Sequence, residues 1–117
     1  MIRNFKALIE KGKDGPMARF GLGKAYLDAG DPASAAKEFE RASSMDPAWS
    51  AAWKMLGKAK AEAGDHAGAA TAWEKGIEAA NAKGDRQASK EMEVFLRRLE
   101  RKTAASQSPD ATGESTP

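Results

Sequence analysis

The segment GDPASAAKEF at residues 30–39 returns 34 residues later as GDHAGAATAW at residues 64–73. Laid without a gap over residues 50–83, residues 16–49 match at 13 of 34 positions. Seven matches are alanines, which composition alone could supply. The other six are Leu22/Leu56, Gly23/Gly57, Lys24/Lys58, Gly30/Gly64, Asp31/Asp65 and Glu40/Glu74. Duplication at this period marks a repeat architecture, in which one supersecondary unit that cannot bury its own apolar face is stacked on its copies.

The unit is helical. The chain is alanine-rich, 41% hydrophobic and 31% charged, with few β-branched residues, which favours helices over strands. Each copy carries two helical patterns joined by a readable corner. Gly30 can take the left-handed conformation that ends one helix, Asp31 can cap the next, and Pro32 suits its first turn. Gly64 and Asp65 repeat that stop and start. With no cysteine in 117 residues, packing rather than disulfides or thiolate metal sites must hold one domain together.

These residues resemble the tetratricopeptide repeat, a 34-residue helix-turn-helix unit with the pattern W-x2-L-G-x2-Y, then A-x3-F, then P. The first copy has Leu22, Gly23, Tyr26, Ala35, Phe39 and Pro47 in the matching places, with Arg19 at the tryptophan position. The second has Trp53, Leu56, Gly57, Ala69 and Trp73, and departs at Lys60 and Asn81. Small residues at Gly23, Gly57, Ala35 and Ala69 let the two helices of a unit approach, while Leu22, Tyr26, Phe39, Leu56 and Trp73 fill the remaining space. The resemblance implies an all-α solenoid.

Two repeats need covers at both ends. Moved back by one period, Phe5 falls on Phe39 and Leu8 on Ala42, so residues 2–12 read as the second helix of a missing unit. Residues 85–102 place Met92, Phe95, Leu96 and Leu99 on one stripe of a charged helix, a C-terminal cap. This cap is similar to a unit's first helix shifted by two residues, with Glu93 where the close-packing glycine would fall. The expected organisation is one domain over 1–102, with repeats at 16–49 and 50–83, and a disordered tail over 103–117, which lacks large apolar residues.

Proteins of the resembled family bind peptides or partner proteins along the face lined by the first helix of each unit. Carried onto this chain, the expected groove comprises Met17, Phe20, Lys24, Leu27, Lys54, Lys58, Lys90, Val94 and Arg97, with Asp28, Ala51, Ala61, Glu62 and Arg98 beside them. Its cations outnumber its acids, and its apolar end is Met17, Phe20 and Leu27. The expected partner is therefore a protein or peptide that is acidic or ends in a free carboxylate. Some family members clamp that carboxylate with Lys, Arg and Asn; here no asparagine stands in the set. Self-association through the groove, as a homodimer, is the alternative. Trp49 reads as packing between units rather than recognition.

Other classes find little support. His66 is the single histidine and follows a cap with no catalytic partner in view. RFGLGKAY lies inside a helical pattern without the strand a phosphate loop requires, and no His or Asp spacing suggests a metal, so neither catalysis nor a cofactor is expected. Two of the 17 acids, Asp110 and Glu114, lie in the tail, leaving residues 1–102 at +4 (19 cations, 15 acids). That is mildly basic, and RRLERK at residues 97–102 has no interleaved aromatics, so nucleic acid is not the expected partner. Lys6 and Glu10 break the apolar core of a signal peptide, and no apolar run approaches the roughly 20 residues of a membrane span. The expected location is the cytoplasm.

Overall fold

The computed structural model describes residues 1–107. Six helices follow one another: α1 (Ile2–Glu10), α2 (Pro16–Asp28), α3 (Pro32–Met45), α4 (Ser50–Glu62), α5 (His66–Ala82) and α6 (Arg86–Gln107). Each packs on its neighbours in sequence, and α4 also touches α6 across the stack. This is the all-α, two-repeat solenoid expected.

The corners form as read. Gly30 and Gly64 sit at φ +80° and +90°, a region that costs a residue with a Cβ. Asp31 N–H then reaches back to Tyr26 O at 2.9 Å, and Asp65 N–H to Lys60 O at 2.8 Å, capping each helix end. Each aspartate also opens the next helix: Oδ1 of Asp31 accepts from Ser34 N–H at 3.1 Å and Oδ1 of Asp65 from Gly68 N–H at 2.9 Å. The hydrogen bonds from Ser34 hold the Asp31 carboxyl below the usual carboxylate range. A third corner, unforeseen because it lies 20 residues after the second, repeats the device at Gly84 and Asp85, whose carboxylate accepts from Ala88 N–H at 3.1 Å.

Inside each hairpin a glycine lies under an aromatic ring. A Cβ on Gly23 would stand 2.8 Å from Phe39 Cε1, and one on Gly57 would overlap the Trp73 indole. The interior runs through Leu22, Phe39, Leu56, Trp73, Met92 and Leu99, all buried. Where Trp53 donates its indole N–H to Pro47 O at 2.8 Å, the first repeat has Arg19. Its guanidinium takes both oxygens of Asp14, at 2.8 and 2.9 Å, and Glu38 at 2.9 Å. An ion triad thus replaces the tryptophan and ties the α1–α2 loop to α3.

The ends differ in extent from expectation. The first helix stops at Glu10 rather than residue 12, and α6 continues through Gln107, beyond Lys102. The Thr103 hydroxyl donates back to Leu99 O and Glu100 O, both at 3.1 Å, and Ala104 and Ala105 favour helix. Residues 103–107 are therefore helical, and the rest of the expected tail, 108–117, lies outside the described residues.

Candidate partner-binding face

The first helices of the units, α2, α4 and α6, carry the residues expected to line a groove, and the structure divides them. Met17, Phe20 and Lys24 line an open hollow of about 730 Å³ at the front, together with Phe5 and Leu8 of α1 and Trp49. Phe20 is half-buried there, edge-on to Phe39 with centroids 5.4 Å apart and tilted against Trp49 at 4.6 Å. It is both packing and lining. The Lys24 ammonium lies 6.0 Å from the Phe20 ring centroid. Leu27 instead packs against the core cluster of Phe39, Leu56 and Ala59.

Lys58 belongs to a second, smaller hollow of about 290 Å³ between α4 and α6. Its floor is aromatic: Trp73 and Phe95 approach with centroids 5.5 Å apart. Lys58, Arg98 and Lys102 stand around it with Glu62 and His66. Lys58 and Arg98 beside Glu62, over an apolar floor, suit a ligand that is both anionic and apolar. Sequence reasoning missed the floor, although a signal was present. In the register of the cap, Phe95 falls where the repeats carry Ala25 and Ala59, so a ring replaces a methyl group.

Lys54 lines neither hollow. Its ammonium pairs with Glu91 of α6 at 3.0 Å, with the two side chains 30% and 47% exposed. Such a pair contributes at most about 1 kcal/mol to folding. It nevertheless supplies Lys54 with an internal carboxylate. Lys90 and Arg97 are exposed on α6 and Val94 is half-buried, all outside both hollows.

The comparisons with known proteins agree with this architecture. The tetratricopeptide repeat family model matches residues 2–43 and again residues 20–85. The chain belongs to the tetratricopeptide repeat family. A TPR repeat-containing protein of Pseudomonas aeruginosa is 54% identical over 101 residues, covering 86% of this chain and 96% of that protein. The solution structure of protein BPP2914 from Bordetella parapertussis has a TM-score of 0.75 at 42% identity, covering 89% of this chain and 90% of that one. The Sgt2 TPR domain of Aspergillus fumigatus reaches the same TM-score at 31% identity, over 90% of this chain and 67% of that one. Tetratricopeptide folds are repeat scaffolds, and this fold points to a protein-interaction module. Among the described residues, no cluster of three His, Asp or Glu side chains could hold a metal ion, and no helix is long and apolar enough to cross a membrane.

Proposed function

We propose that this tetratricopeptide protein is a non-catalytic, cytoplasmic interaction module that captures an acidic segment of a partner protein on the face of α2, α4 and α6. The rear hollow carries this reading. An apolar side chain of the partner would enter above Phe95 and Trp73, while flanking carboxylates, or a terminal one, meet Lys58 and Arg98. Lys90 and Arg97, exposed on the same helix as Arg98, extend the positive field that draws such a segment in.

The test is charge reversal. The K58E/R98E double variant should lose at least about tenfold in affinity for the partner captured by the wild-type chain. Its helicity and melting should be unchanged, since both side chains are exposed. Undiminished capture by the folded variant would remove the rear hollow from the binding face.

A further inference from the structure

The front of the stack covers only in part a helix face that the later units bury: Ala25 is buried, but Ala18 and Gly21 are half-exposed. Ala18, Gly21 and Ala25 of α2 line the front hollow. One period on, their counterparts in α4 are Ala52, Met55 and Ala59. Ala52 and Ala59 are fully buried, and Met55 packs on the cluster that also receives Phe20 and Leu27 of α2. In the two-residue-shifted register of α6 the counterparts are Ala88, Glu91 and Phe95. There Glu91 pairs with Lys54 of α4, and Phe95 lies on Trp73. In both later units, then, this face meets the unit before it, whose first helix contributes directly. Among the described residues, α1 is all that stands ahead of α2.

Phe5 packs differently from its counterparts. It stands in the register of Phe39 and Trp73, whose rings rest on the glycine of their own hairpin. Phe5 has no such partner and lies instead on Gly21, where a Cβ would overlap its ring. Around it Met17 is 75% exposed and Leu8 40% exposed.

We infer that the front hollow is the seat for one helix of a partner protein, which packs beside α1 and against α2 as a first helix packs on its neighbour. What the seat accepts follows from how α2 sits against α4. The partner helix carries large apolar residues seven apart, as Phe20 and Leu27 are, with a small residue between them where Phe5 must approach. Lys13 and Lys24 border the hollow against Asp28 alone, so the flanks of the incoming helix are acidic.

A second copy of this chain is poorly suited to the seat. Its α6 is the one first helix without a following partner among the described residues, but it has an exposed Glu93 where Gly23 and Gly57 permit close approach. It would also bring Lys90, Arg97 and Arg98 toward Lys13 and Lys24, setting like charge against like. The front seat stands apart from the rear hollow, since Phe5, Leu8 and Gly21 take no part in that site.

A synthetic peptide of residues 16–28 carrying R19E and K24E, stapled as a helix, serves as the probe. It keeps Phe20, Leu27 and the intervening Gly23 while reversing two cations. Titrated into the isotope-labelled 117-residue chain, it should shift the amide resonances of Phe5, Ala18 and Gly21. Either M17E or L8E/M17E in the chain should weaken binding at least about tenfold without changing the melting temperature, and the peptide with its native Arg19 and Lys24 should bind about tenfold more weakly. K58E/R98E should leave this binding intact, which separates it from the rear hollow. The inference is overturned by an absence of shifts, by shifts confined to the surroundings of Phe95, or by binding indifferent to M17E. It is equally overturned if sedimentation shows a dimer of the chain that M17E dissolves.

Discussion

Replacing Gly57 with alanine adds a single carbon at the point where the second hairpin is tightest. On an open helix the change would stabilise, because alanine exceeds glycine by about 1 kcal/mol in helix propensity. Here the new Cβ overlaps the Trp73 indole. The ring has little room to retreat: it is 5% exposed, and its N–H donates to Lys54 O at 3.1 Å, on the same helix as Gly57. Moving it weakens that hydrogen bond, at about 0.5–1.5 kcal/mol, and strains a packed interior, at about 1–3 kcal/mol. With the propensity gain subtracted, G57A should destabilise by about 0.5–3.5 kcal/mol. Leucine at the same position should cost more and part the hairpin. Urea unfolding followed by circular dichroism would show a lower midpoint at unchanged slope, with melting lowered by about 4–8 °C per kcal/mol. The control is G15A, where a Cβ meets nothing within 4 Å. In W73F, which has a smaller ring and no N–H, the further cost of G57A should shrink. A neutral or stabilising G57A would refute the claim that close approach of ring and backbone holds the unit together.

Two further outcomes follow from the corners and the ion triad. The hydrogen bond and charge of Arg19 hold the Asp14 carboxyl below its usual range. A carboxyl lowered in the folded state binds fewer protons than in the unfolded chain, so its stabilisation is complete above the ordinary value of about 3.9 and fades as pH falls through the lowered one. Wild type should therefore lose its advantage over D14N on titration from pH 5 to pH 2; a constant gap over that range would contradict the pairing. At the corners, D31A and D65A should each cost about 1 kcal/mol, and additively, since each removes one cap from a separate hairpin. Thermal melts of the two single variants and the double variant would show any departure.

Interior and surface were unequally legible, and the repeat explains both. Within a unit the demands are local and recur: a left-handed glycine before a capping aspartate, and a glycine beneath a ring. Gly30 with Asp31 and Gly57 with Trp73 could therefore be read by aligning the chain with itself. The third corner, at Gly84 and Asp85, was equally readable as a dipeptide and escaped only because it breaks the period. The positions expected to line the groove do not follow the period, although Phe20 and Leu27 also pack against the interior. Phe20 is followed by Lys54 and then Lys90, Lys24 by Lys58 and then Val94, and Leu27 by Ala61 and then Arg97. Their partners lie in other units, and small shifts of register decide which. Lys54 meets Glu91 in the register of a cap displaced by two residues, and the same register lays Phe95 beside Trp73 at the rear hollow. The ends are the extreme case. Phe5 looked like one more hairpin ring, but the ring settles on Gly21 and leaves the front of α2 only partly covered. A repeat thus declares how its copies join, while the surfaces proposed here for partners, at the front of α2 and along α6, fall outside that rule.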